Sequence, residues 1–142
     1  MRRAKFLPTA LFSLAAVAAF AGECRAGDPA GLWLSETGKS RYRITHCATG
    51  ICVKLVWIIE GPQVIDEMNP DPARRHRRVM GIDIASDFRP DGADRWHGSL
   101  YNFKNGKTYQ GRAEMHGADQ LKLAGCVLGG MICLTQSLSR LE

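Results

Sequence analysis

The residues able to do chemistry in this chain are few and set well apart. Four of its cysteines form two close pairs, Cys47 with Cys52 and Cys126 with Cys133. Thiols at such spacing either bridge a tight turn or hold a metal, and in an exported chain the disulfide is favoured. Each pair brackets a turn-like segment, Ala48-Thr49-Gly50-Ile51 and Val127-Leu128-Gly129-Gly130-Met131-Ile132. Of the three connectivities open to four cysteines, short hairpin spacing predicts local pairing, Cys47–Cys52 and Cys126–Cys133.

The histidines, His46, His76, His97 and His116, fall in different segments, and none makes a close ligand pair. No metal and no cofactor are expected. The densest ionisable run is Asp66-Glu67-Met68-Asn69-Pro70-Asp71-Pro72 followed by Arg74-Arg75-His76-Arg77-Arg78. Its acids lack the spacing of a calcium loop, and its arginines have the forked donors that suit a phosphate or lipid head group. Asp66, Asn69, Asp71, Arg74, Arg75 and His76 are the candidate loop residues, with plain solvated charge as the alternative. Asp83 and Asp87 share a face if they lie on a strand, but roughly 13 Å apart, too far for a glycosidase pair. No nucleophile elbow, phosphate loop or dinucleotide fingerprint is present. Enzyme activity is therefore the less favoured expectation, and no catalytic residue is assigned.

Met1-Arg2-Arg3-Ala4-Lys5 and the apolar run from Phe6 to Phe20 read as a secretion signal. The run is too short for a good membrane span, so stable membrane insertion is not expected. Cleavage after Ala21 or after Ala26 is open. The second removes Cys24 and leaves an even four cysteines, so the expected organisation is a signal peptide over 1–26 and one domain over 27–142. Lipidation at Cys24 is disfavoured by Glu23. Of the formal charge of +5, the first 26 residues carry four bases and one acid, leaving about +2 on the rest. That balance gives no footing for nucleic-acid binding. Disulfides and signal together predict a periplasmic or secreted location.

Strand patterns recur with turn residues between them, and no helical period of useful length appears. Strands are expected at Gly31–Glu36, Ser40–Cys47, Ile51–Glu60, Val79–Phe88, Arg95–Phe103, Lys107–His116, Gln120–Cys126 and Cys133–Leu141. The connections Arg89-Pro90-Asp91-Gly92, Lys104-Asn105-Gly106 and His116-Gly117-Ala118-Asp119 supply the residues of tight reversals. Eight meandering strands leave two exposed edges unless the sheet closes. The fold class is therefore all-β, a small eight-stranded antiparallel up-and-down barrel, with a β-sandwich as the alternative. The long stretch Gly61 to Arg78 is the one irregular connection.

Asn69-Pro70-Asp71-Pro72, Gly81, Phe88-Arg89-Pro90-Asp91-Gly92, Trp96-His97-Gly98, Tyr101-Asn102, Gly106-Lys107-Thr108-Tyr109 and Gly125-Cys126 form an ordered series. The series resembles the bacterial secreted family known as domain of unknown function 2147, across Gly31 to Arg140. The resemblance implies a small periplasmic all-β, lipocalin-like domain and carries no activity with it. Where family members often have a tryptophan two residues before the final arginine, this chain has Leu138. Gly31-Leu32-Trp33 is similar to the Gly-x-Trp of lipocalins, and that likeness implies Arg140 stacked on Trp33 at the narrow end, a contact of about 0.5–2 kcal/mol.

Alternation along Ile51 to Glu60 sends Val53, Leu55, Trp57 and Ile59 to one face, and Lys54, Val56, Ile58 and Glu60 to the other. Both faces are substantially apolar, so the interior either fills with side chains or encloses a ligand. The leading expectation is a lipocalin-like protein binding a small apolar or amphipathic molecule. Trp33, Trp57, Trp96, Tyr101 and Tyr109 are the candidate lining, with Arg140 beside Trp33. One alternative is an envelope protein–protein interaction or stress module acting through the Asp66–Arg78 loop. The other is an enzyme of unidentified reaction using Asp66, Asp71 and His76.

Overall fold

The computed structural model describes residues 27–142, and the leader expected over 1–26 lies outside them. Eight strands follow in order: β1 (Gly31–Ser35), β2 (Ser40–Cys47), β3 (Gly50–Ile58), β4 (Asp83–Pro90), β5 (Arg95–Asn102), β6 (Lys107–Met115), β7 (Gln120–Val127) and β8 (Ile132–Arg140). Each pairs antiparallel with the next, and β1 pairs with β8 through Trp33↔Arg140, Leu34↔Ser139 and Ser35↔Leu138. The sheet is thus a closed barrel with no free edge, and the sandwich alternative is set aside.

Two departures from the alternation rule have local causes. The strand expected from Val79 begins only at Asp83, because Gly81 turns left-handed (φ 95°) and donates its N–H to the Leu55 carbonyl at 2.6 Å. In β3 the register slips opposite Arg41 and Tyr42: Tyr42 faces Leu55 while Arg41 faces Trp57. Val56 is the extra residue of a bulge, which reverses the faces beyond it. Ile58 therefore turns inward and is buried, whereas Ile59 is exposed and Trp57 lies outside under the Arg41 guanidinium, 4.8 Å from the ring centre.

One end of the barrel is packed solid. Trp33, Ile44, Ile51, Val53, Phe88, Leu121 and Leu138 are all buried there, each worth about 1.5–3 kcal/mol relative to exposure. Leu138 is fully buried opposite Leu121, so an aliphatic side chain fills this place in the core. Gly98, Gly111 and Gly125 pair in a row across β5, β6 and β7. The Phe88 ring lies on the first two: a Cβ at Gly98 would stand 2.7 Å from its Cδ1, and one at Gly111 2.4 Å from its Cζ. The missing side chains are what admit the ring.

Residues 27–30 close this end. The Trp33 indole N–H donates to the Pro29 carbonyl (2.9 Å), and the Arg140 guanidinium covers the ring 4.4 Å from its centre. Arg140 also donates to the carbonyls of Asp28, Ala30 and Ala118. The outer face of the sheet carries Arg41, Arg43, Lys54, Arg95, Arg112, Glu114 and Lys122, all exposed. No helix among the described residues is long and apolar enough to cross a membrane.

Candidate functional site

The opposite end is open. The β1–β2, β5–β6 and β7–β8 turns and the start of the long β3–β4 connection ring the mouth of a cavity of about 740 Å³, within the size range of small-molecule sites. Its position follows from the sequence of β7 and β8. Residues Leu123, Gly125 and Val127 alternate inward from β7, opposite Gln136, Leu134 and Ile132 of β8. Inward-facing apolar residues in a small barrel normally meet the far wall. Here Val127, Ile132 and Leu134 keep 41%, 59% and 84% of their surface exposed, because the cavity stands where that wall would be.

Deeper apolar lining comes from Ile58, Ile84, Leu100 and Leu123. The wall has two hydrogen-bonded polar groups: Asn105 Nδ2 donates to the Tyr109 hydroxyl at 2.7 Å, and Ser40, Tyr42 and Gln136 form a strip. Ser40 Oγ donates to the Tyr42 hydroxyl at 3.0 Å, and that hydroxyl donates to Gln136 Oε1 at 3.4 Å. Burial raises the Tyr42 phenol above its ordinary range, and the Ser40 bond opposes the shift. The charged residues bordering the cavity, Glu36, Lys39, Glu60 and Lys104, are all exposed at the rim. Cys126 and Cys133, opposite one another with Cα atoms 4.0 Å apart, form a disulfide that ties β7 to β8 just below the mouth. The Cys47–Cys52 disulfide staples the β2–β3 hairpin at the packed end.

Beside the barrel mouth the long connection is anchored by a buried carboxylate. Asp66 accepts from the Tyr101 hydroxyl (2.6 Å), the Asn69 side-chain amide (2.8 Å) and Arg77 Nε (2.9 Å). Arg77 Nη2 adds a second contact at 2.9 Å, making the pair two-pronged. Burial first, then the hydrogen bond and charge of Asp66, push the Tyr101 phenol up to about 12. A shallow groove of about 620 Å³ runs beside this anchor, bordered by Asn69, Asp71, Arg74 and Arg77 and by Ser99, Tyr101 and Thr108 of the neighbouring strands.

The structure divides the candidate lining residues among three places. Tyr109 lines the cavity, and Tyr101 borders it with its hydroxyl turned to Asp66. Trp33 and Arg140 close the packed end, Trp96 packs against the core, and Trp57 lies on the outer face. Among the loop candidates, Asp66 and Asn69 meet at Tyr101 and Arg75 donates to the Asn69 carbonyl. Asp71 caps a short turn through the Ala73 N–H and faces Arg74 at 3.4 Å, while His76 stands exposed. Of the cavity residues that sequence reasoning passed over, Tyr42 is an aromatic like Tyr101 and Tyr109, whereas Leu100, Leu123, Leu134 and Gln136 carry no chemical flag. Strict alternation within the strands was the signal available for them.

An eight-stranded antiparallel barrel, plugged at one end and open at the other over an apolar cavity, defines a lipocalin-like protein. The chain belongs to the bacterial family described as "uncharacterized protein conserved in bacteria (DUF2147)", which it matches over residues 31–140. Among solved structures it is similar to protein HP1028 of Helicobacter pylori, described as a member of the lipocalin family. The two share 23% identity with a TM-score of 0.72, over 81% of this chain and 84% of that one. No curated protein matches the sequence.

Proposed function

We propose that the protein is an exported binding protein that holds one small apolar or amphipathic molecule in the open end of its barrel. The observation that carries this reading is the exposed but inward-facing trio Val127, Ile132 and Leu134 at the mouth of a cavity of about 740 Å³. Leaving that much apolar surface uncovered costs about 25 cal/mol for each Å², a cost that a bound molecule would remove. The plugged end supports the same reading, since it gives the site one entrance and supplies stability that the open end lacks. Two disulfides and the leader-like first 26 residues favour a periplasmic or secreted setting.

The loop readings draw less support. The carboxylate of Asp66 accepts from three partners that hold the connection in place, which supports an anchoring role for it. Among the described residues no hydrogen bond joins Asp66, Asp71 and His76. The binding reading is tested by native mass spectrometry of protein purified from periplasm, followed by analysis of any molecule released on denaturation. A retained mass supports it. A bare protein that also fails to bind the neutral fluorescent probe N-phenyl-1-naphthylamine refutes it.

A further inference from the structure

We infer that the cavity selects a neutral amphiphile, one whose polar head accepts a hydrogen bond from the side-chain amide of Gln136, and discriminates against a carboxylate of the same chain length. The inference rests on the proposed binding function and specifies the ligand's chemical class. Its first support is the polarity of the Ser40–Tyr42–Gln136 strip. The Tyr42 hydroxyl receives the Ser40 proton and so directs its own to Gln136 Oε1. That bond orients the amide. Oε1 is taken, and among the described residues the amide NH₂ donates to no protein group. Gln136 lines the cavity opposite Leu123, which puts an amide with two uncommitted N–H donors in the cavity wall.

The second support is the distribution of charge. Among the described residues the cavity wall below the rim contains no cationic side chain, and the nearest bases, Lys39 and Lys104, are exposed and matched at the rim by Glu36 and Glu60. A carboxylate drawn down to Gln136 would lose water without gaining a counter-charge, the costliest form of burial. An ester, amide or ketone carbonyl loses far less and gains a donor that is otherwise without a protein partner. Apolar walls at Ile58, Ile84, Leu100 and Leu123 suit the chain that such a head would carry.

Displacement of N-phenyl-1-naphthylamine by methyl decanoate, decanoic acid and decane at pH 8 tests this. Methyl decanoate is expected to compete at least about tenfold better than decanoate, and better than decane. Gln136→Leu is expected to bring the ester to within about twofold of decane. Equal or tighter binding of the carboxylate overturns the inference, as does an ester-over-decane advantage that survives Gln136→Leu. The acid–ester comparison needs no variant, so it decides the matter even if Gln136→Leu does not fold. If the naphthylamine and every competitor fail to bind, the binding function itself falls and takes this inference with it.

Discussion

The Phe88 ring lies against Gly111, so close that a Cβ there would come within 2.4 Å of Cζ and 2.6 Å of Cε1. A strand glycine with ordinary backbone angles usually gains about 0.5–1 kcal/mol on replacement by alanine. Here the added methyl meets a fully buried ring, and overpacking of this kind costs about 1–3 kcal/mol. Gly111→Ala is therefore expected to lower stability in urea unfolding, opposite in sign to the propensity effect. Restored or raised stability when Phe88→Leu is added to Gly111→Ala, relative to Gly111→Ala alone, would identify the ring as the cause.

At the packed end, Arg140 combines a cation–π contact with Trp33 and hydrogen bonds to the carbonyls of Asp28, Ala30 and Ala118. Lysine keeps the charge but has neither the planar stacking surface nor the forked donors. Arg140→Lys is expected to cost about 1–3 kcal/mol and to speed amide exchange in residues 27–31. Unchanged exchange there would show that the first residues close the barrel without Arg140.

The barrel itself was readable in the sequence because its strands announce themselves by turn residues and alternation, and because eight strands in a meander have one economical way to lose their edges. Both disulfides were readable for the same reason, as closures of predicted hairpins. The site was less so. Aromatic residues drew attention as lining, yet Trp33 and Trp96 serve the packed half, and Trp57 was turned outward by a bulge at Val56 that no residue type marks. The cavity depends on the absence of side chains facing β7 and β8, and an empty volume leaves no imprint on local pattern. Asp66 reads in the sequence as an ionisable loop residue, but its burial depends on Tyr101, 35 positions away in sequence.

The two disulfides close short loops, for which chain entropy gives about 2–3 kcal/mol each. Cys126–Cys133 ties the strands that form the mouth, whereas Cys47–Cys52 staples the far end. Replacing Cys126 and Cys133 with serine is expected to loosen the β7–β8 hairpin and weaken naphthylamine binding. The corresponding pair at 47 and 52 is expected to lower stability by a similar amount and leave binding within about twofold. Peptide mapping of the unreduced protein checks the pairing on which both expectations depend.

Tyr101 links stability to alkaline pH. Its phenol sits near 10 when unfolded and is pushed up to about 12 in the fold by burial and by Asp66. The folded state thus holds the proton more tightly, so the contribution is complete below pH 10 and is lost as pH rises through 12. Tyr42, also raised by burial, acts in the same direction. Tyr101→Phe is expected to shrink the fall in stability between pH 10 and 12, leaving the part due to Tyr42. An unchanged alkaline slope would mean that Tyr101 and Asp66 are not coupled in solution.

Gly125 continues the row formed by Gly98 and Gly111, but its surroundings are different. The nearest atoms to a Cβ there are those of Tyr109 at 3.4 Å and Leu100 at 3.6 Å, ordinary contact distances, and the space beyond is the cavity. The first two glycines make room for Phe88, and the third leaves room in the cavity. Gly125→Val should accordingly fold, because its backbone needs no left-handed angle and a β-branched residue suits a strand. The added methyls project between Leu100 and Tyr109 and shorten the site. Naphthylamine affinity is expected to fall by about tenfold or more, with the urea midpoint equal to or above that of the parent. Undiminished binding in a folded Gly125→Val protein would place the probe elsewhere, and the surface groove beside Tyr101 would then be the next site to test.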